Sequence, residues 1–254
     1  MLNGHNVFSL TATTSRYYRY CLLIVFVGFI FIGTTEQWLI ALGVYLFKGL
    51  LGTSVVHRCL THKSFTMHKW IEYPLAALSL AGTASSVLGW VAVHREHHRY
   101  SDTEKDPHSP VHMPWYHVQF MKWKDPDRPV NILYAADLLK VKFYRDLHNY
   151  HWLLAFGPAL ILFFIDPLAP LYAWFVPVYI SIQAGVSVNS FNHMSFGYRN
   201  FNTNDNSHNN FITGIICLGE GWHNNHHKDP ANPNFGSRWW EFDIGYQFCR
   251  LIRK

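Results

Sequence analysis

Charge is what this sequence has little of. Only 15% of its 254 residues are Asp, Glu, Lys or Arg, where about a quarter is usual in soluble proteins. Hydrophobic residues make up 49% and aromatic residues 17%. The shortage excludes an ordinary water-facing surface over the whole chain and points toward lipid. Cysteine is also scarce: Cys21, Cys59, Cys217 and Cys249 form neither a CxxC pair nor an iron–sulfur run, so reduced, packed thiols are expected. No removable leader is expected either, because residues 1 to 19 are polar, carry Arg16 and Arg19, and lead into an apolar run with no small-residue cleavage site after it. The net charge of +5 and pI near 9.0 could suit nucleic acid, but the basic residues are dispersed and lack the motifs such binding needs. The length suits one unit, residues 1–254.

What is there begins with apolar segments in two closely spaced pairs, 18–35 with 37–56 and 151–165 with 168–188. Each pair predicts a transmembrane helical hairpin, giving an all-α integral membrane protein with four spans; the shorter apolar cores, against the roughly 20 residues a span needs, borrow flanking Tyr, Trp and His as interfacial ends. The two tight loops hold only Glu36 and Asp166, while every Lys and Arg except Lys48 falls on the other side. By the positive-inside rule, both termini are expected in the cytoplasm. Lys48, inside the second span, is expected to snorkel. A fifth apolar stretch, 71–93, is expected to be interfacial or re-entrant, helped by Ala81, Gly82, Ala84 and Ser85. If it crossed, the histidines on either side of it could not share a site.

Those histidines number 17 in all, most of them in clusters. HRCLTH holds His57 and His62, HREHH holds His94, His97 and His98, and HNNHH holds His223, His226 and His227; His193 in NSFNH is a fourth group on the same side. On a helix, residues three and four apart share a face, so each HxxHH is expected to aim three imidazoles at one place. The five-residue spacing of His57 and His62 fits an α-helix poorly, and the second is expected to enter as the helix ends or unwinds. Imidazole alone does not name a metal, but nine histidines exceed one ion and suit two. Carboxylates near the boxes, Glu96, Asp102, Asp106, Glu220, Asp229 and Asp243, are candidates to orient the imidazoles, with surface charge or capping the competing reading. For His5, His68, His112, His117, His148 and His208 ordinary packing or solvation is the better reading.

The motifs HRCLTH, HREHHRYSDTEKDPH, NSFNH and GEGWHNNHH resemble those of the membrane fatty acyl desaturases of the Δ9 type, over roughly residues 20 to 250. The resemblance implies a four-span stalk under a cytoplasmic helical cap, with two non-haem irons at the junction held by His57, His62, His94, His97, His98, His193, His223, His226 and His227, and with Asn189 reaching one metal through water. It implies oxygen-dependent insertion of a cis double bond into a fatty acyl chain carried on lipid, coenzyme A or acyl carrier protein. Electrons would come from a separate ferredoxin or cytochrome b5. Trp90 is a candidate tunnel wall, against the competing reading of a membrane-belt residue. Arg95 and Arg99 are candidates to neutralise an anionic carrier or headgroup, and Lys105 is another. His108, in the shared DPH, is left outside the metal set. The alternatives are a di-iron hydroxylase of an alkyl, sterol or carotenoid substrate and a non-enzymatic metal-binding or transport membrane protein. The second is disfavoured because transporters place ligands near the bilayer midplane, whereas the boxes here flank the spans.

Overall fold

The computed structural model describes residues 9–83, 85–120 and 131–254; His5 and Ala84 lie outside them. Among the described residues there is no strand beyond two isolated bridges, Tyr198 to Asn209 and Asn209 to Trp222. The chain is all-helical.

Helix α1 (Ser9–Ile32) turns through Gly33 and Thr34 into α2 (Thr35–Leu51). The turn is closed by a capping box: Gln37 N donates to Thr34 Oγ1 at 3.3 Å and Thr34 N to Gln37 Oε1 at 3.1 Å. Without a break α2 continues as a π-helix, Gly52–Thr61. Helices α3 (Lys69–Ser79), α4 (Val87–Tyr100) and α5 (Trp115–Gln119) follow. A 3₁₀ turn, Ile132–Ala135, then leads to α6 (Ala136–Leu139) and α7 (Lys142–Asn149). Next come α8 (His151–Ile165), a π turn Leu171–Phe175 and α9 (Val176–Phe191). The short helices α10 (Phe211–Ile216) and α11 (His223–Lys228) precede α12 (Ile244–Ile252).

Among the described residues two stretches are long and apolar enough to cross a bilayer, Thr35–Thr61 and Leu171–Phe191; α7 with α8, bent by 62°, makes a third if counted as one span, and Tyr17–Ile32 is a shorter apolar helix. Helix α9 packs against both α1 and α2. The stretch 71–93 is not one continuous helix. Helix α3 ends at Ser79 and α4 begins at Val87, where Ser86 Oγ accepts from Gly89 N at 3.1 Å. Between them Gly82 takes a φ of +84°, and a Cβ there would lie 2.6 Å from Val178. Only glycine fits that turn.

Lys48 does not snorkel. It is buried, and its Nζ donates to Leu78 O at 3.2 Å and Ala81 O at 2.6 Å while lying 5.2 Å from the centre of the Trp174 ring. The end of α3 leaves carbonyls without helical partners, and an ammonium from the neighbouring helix satisfies them at the negative end of the helix dipole. Lys48 therefore ties α2 to the break between α3 and α4. The largest apolar core lies on the other side of that break, where Leu51, Val55, Val56 and Leu60 meet Val87, Leu88, Val91 and Ala92 and fix the angle at which α4 approaches the π-helix.

Candidate metal centre

In an α-helix a five-residue spacing puts side chains on different faces, but in a π-helix, with i to i+5 hydrogen bonds, it is one turn. His62 N donates to His57 O at 3.1 Å, and the two rings stand 4.8 Å apart. HRCLTH thus needs no unwinding: the π-helix holds both imidazoles on one face.

The nine histidines fall into two groups: His57, His62, His94, His98 and His226 in one, His97, His193, His223 and His227 in the other, with the ring nitrogens of each group within 4.8 Å of one another. Neither HxxHH aims all three imidazoles at one place. At about 100° per residue, positions four apart differ by only about 40°, while the third position lies about 60° to the other side. On α4, His94 and His98 go to the first group and His97 to the second; on α11, His223 and His227 go to the second and His226 to the first. Each helix supplies both groups, so the two sites are neighbours by construction.

Four carboxylates hold Nδ1 atoms. Asp106 meets His97 at 2.9 Å, Asp102 meets His193 at 2.7 Å, Asp205 meets His227 at 2.8 Å, and Glu220 is bonded to His57. A carboxylate accepting from Nδ1–H leaves the lone pair on Nε2. In the second group, His193 and His227 therefore present lone pairs to His223 Nε2, at 3.0 and 3.1 Å. One proton on His223 cannot serve both, and a cation among them resolves the conflict. The buried Nε2 atoms of His62 and His97 have no hydrogen-bond partner among the described residues. In the first group the Nε2 separations are 3.0 Å for His94 to His98, 3.0 Å for His98 to His226 and 3.1 Å for His57 to His226. Nitrogens bound to one ion by bonds of about 2.1 Å stand about 3.0 Å apart at a right angle and about 3.4 Å apart at the tetrahedral angle. The residues fit two ions, one within each group.

The electrostatics agree. His62, His94, His98, His223 and His226 have pKa values well below the usual imidazole value, through burial first and then through crowding by the other imidazoles. Such rings are neutral near pH 7 and offer lone pairs. Burial alone would raise Asp102, Asp106, Asp205 and Glu220, but the imidazole facing each one lowers it below the ordinary carboxylate range. Burial opposes charge on His97, yet Asp106, with Asp102 and Asp205 behind it, outweighs burial and raises its pKa.

Among the carboxylates picked out from sequence, Asp102, Asp106 and Glu220 hold imidazoles, Asp243 acts one step back by bonding Arg58, Glu96 is buried on α4, and Asp229 is exposed past the end of α11. Asp205 was missed. Its Oδ1 accepts from Ser207 N and Thr203 Oγ1, leaving Oδ2 for His227; the only sequence signal is a turn-like run of Asn, Asp and Ser, common in any loop. The asparagines inside HNNHH were also missed. Asn224 Oδ1 accepts from Asn200 N and Phe201 N, and Asn225 donates to Phe235 O and Glu241. They peg a six-residue helix too short to persist alone.

The remaining site candidates separate. Trp90 stacks on His94 with ring centres 4.8 Å apart and lies edge-on to His57, against the first group. Asn189 is half-buried on α9, one turn before His193. All five N–H groups of Arg95 are taken, by Leu60 O, Thr61 O, Tyr134 O and both oxygens of Asp137. Arg95 therefore ties α4 to the end of the π-helix and has no donor left for an anionic carrier, a correction to the sequence reading. Arg99 is exposed, 5.6 Å from the Tyr100 ring centre. His108 is buried with its ring 4.5 Å from that of His97, but belongs to neither main group.

A family model described as fatty acid desaturase matches residues 36–244. The chain is 33% identical over 213 residues to the sn-1 stearoyl-lipid 9-desaturase of Synechocystis sp., covering 82% of this chain and 66% of that protein. Against the palmitoyl-monogalactosyldiacylglycerol delta-7 desaturase of Arabidopsis thaliana it is 33% identical, covering 84% and 59%. Against the sn-1 stearoyl-lipid 9-desaturase of Anabaena variabilis it is 30% identical, covering 89% and 85%. The chain thus spans about three fifths to two thirds of the length of the first two relatives and most of the third. Matched in sequence from α2 to α12, with its histidines gathered into two adjacent groups, this protein belongs to the fatty acid desaturase family.

Proposed function

We propose that the protein is a multi-pass membrane enzyme that introduces a cis double bond, at Δ9, into the acyl chain of a glycerolipid, using two irons. The observation that carries this reading is the pair of adjacent, largely buried imidazole groups, both of which draw rings from α4 and from α11. The family to which the chain belongs, and a first group of five imidazoles where tetrahedral zinc takes four ligands, support iron. Two bound irons would supply dioxygen activation: two hydrogens leave adjacent carbons, and with two electrons and two protons from a separate ferredoxin or cytochrome b5 the oxygen becomes two waters. His57, His62, His94, His98 and His226 would hold one iron; His97, His193, His223 and His227 would hold the other, with Asn189 reaching it through water.

The chain's own groups do the positioning. Asp102, Asp106, Asp205 and Glu220 fix the tautomer and direction of the rings they bond. Trp90 shields the first group and offers an apolar wall to the chain. Arg99 and Lys105, both exposed beside the Tyr100 ring, are the basic groups placed for a headgroup. For topology we infer four spans, α1 and α2, then α8 and α9 with its π turn, with the boxes and both termini on the basic, cytoplasmic side. The relatives' names support a fatty acyl substrate; the chain covers 85% and 78% of a stearoyl-lipid and a palmitoyl-lipid 9-desaturase, against 74% and 68% of two acyl-CoA 5-desaturases, which favours the lipid carrier.

Expression with a competent electron donor in a host lacking the unsaturated product, followed by mass spectrometry of its fatty acids, tests the assignment. Products lighter by two hydrogens are expected. Gain of one oxygen would make it a hydroxylase, and an unchanged profile would remove the enzymatic reading. A second expectation concerns the buttress that sequence did not reveal. Loss of an outer-shell partner weakens metal binding by about 10–100-fold, so Asp205→Ala should release one iron to a chelator at concentrations the parent protein withstands. Parental retention of both irons would show that the carboxylate orients nothing.

A further inference from the structure

Helix α10 is built inside out. Four of its six residues are large, apolar and exposed, Phe211 at 54%, Ile212 at 67%, Ile215 at 52% and Ile216 at 51%, while its one polar side chain, Thr213, is buried and donates to Asn192 Oδ1 at 2.9 Å. Gly214 faces inward too, and a Cβ on it would stand 2.8 Å from Trp222. A surface helix in water shows the opposite arrangement. From Asn206 to Gly219 the chain contains no Asp, Glu, Lys or Arg. A solvent-facing loop beside a metal centre has no reason for such a gap.

Its depth can be read from its partners. The Tyr45 hydroxyl donates to Ile216 O, Leu218 lies over Gly49 where a Cβ would meet it at 2.8 Å, and Cys217 Sγ donates to Ala184 O at 3.2 Å. Tyr45 and Gly49 are midway along the apolar stretch Thr35–Thr61, and Ala184 is well inside Leu171–Phe191. The C-terminal end of α10 is therefore wedged between the two long apolar helices, not perched on their ends. On α2, which Ile216 and Leu218 touch, Leu42, Leu46 and Phe47 are exposed apolar residues as well.

We infer that α10 is a monotopic membrane insert whose outward face, Phe211, Ile212, Ile215 and Ile216, is seated among the acyl chains of one bilayer leaflet. A six-residue helix is far below the length of a span, so it would lie within the leaflet in the manner of interfacial amphipathic helices. Six residues separate Ile216 from His223. The insert thereby anchors the second imidazole group at the lipid boundary. This rests on the membrane part of the proposed function and does not depend on catalysis.

The experiment uses the full, metal-loaded chain in phosphatidylcholine–phosphatidylglycerol vesicles. In a Cys21→Ser background, bimane is attached at Ile212→Cys or Ile215→Cys, with Leu42→Cys as the lipid-facing control and Lys228→Cys as the aqueous one. Doxyl-phosphatidylcholine should quench the α10 labels as strongly as the Leu42 label, and iodide should quench them at least fivefold less than the Lys228 label. Iodide quenching at the Lys228 level would overturn the inference, as would protection from both quenchers, the mark of a second copy covering the face. In the unsubstituted protein, photoactivated diazirine-phosphatidylcholine should leave adducts on the 206–219 segment; their absence from it, with adducts present on α2, would equally overturn it. Lipid contact at α10 in a protein that makes no unsaturated product would sink only the enzymatic reading, and an active protein with a wet α10 only this one.

Discussion

His97→Ala should cost the protein one iron and all measurable turnover. Because α4 sends His97 to one group and His94 and His98 to the other, removing one ring should empty the second site while leaving the first able to load. Iron per chain is expected to fall from about two to about one, with activity down by more than about a thousandfold, since chemistry at paired metals is lost when either is absent. His226→Ala should mirror it by depleting the first group. Metal analysis of the two purified variants, beside product assays, checks both. Full activity in either variant would refute that residue's role as a ligand, and loss of both irons from each would show that the two groups load as one unit.

Arg58→Leu is the second large effect, and it acts on folding. The Arg58 side chain is fully buried between Glu220 at 3.0 Å and Asp243 at 2.9 Å, with its guanidinium 3.9 Å from the Phe235 ring centre. It links three distant parts of the chain: the π-helix, the loop before the third histidine box, and the cap of α12, where Asp243 accepts from Tyr246 N. Taking away one partner of a buried pair strands the others, at a typical cost of about 3–5 kcal/mol. Thermal unfolding in detergent should shift down by roughly 10 °C or more for a chain of this size. Arg58→Lys should recover only part of this, because an ammonium cannot bridge two carboxylates in a planar fork. Parental melting of Arg58→Leu would mean that Glu220 and Asp243 are satisfied without it.

The histidines show why some of the site could be read early. Spacing within HxxHH is local, and a helix converts it into a shared face whatever surrounds it. The allocation of the rings was not legible in the same way, because a ring 40° or 60° around a helix meets a different site only once a second helix stands opposite. The π-helix was hidden for a similar reason: its wider turn is stabilised by surrounding packing, and a five-residue interval by itself suggests an interruption. Lys48 and Arg95 share a lesson. Each was assigned to water or an anion as a free charge, and each turned out to be consumed by carbonyls that only the folded chain leaves without partners.

Composition and local pattern alone determined that this chain is helical, seeks lipid and carries nine histidines in boxes suited to metal. Apolar content, the period of a helix and ligand type are properties of neighbouring residues, which is why they survive without a structure. Tertiary structure decided the partition of those rings into five and four, the recruitment of Asp205, and the turning outward of the apolar face of α10. These depend on which surfaces meet across long sequence separations, and no short-range pattern encodes that.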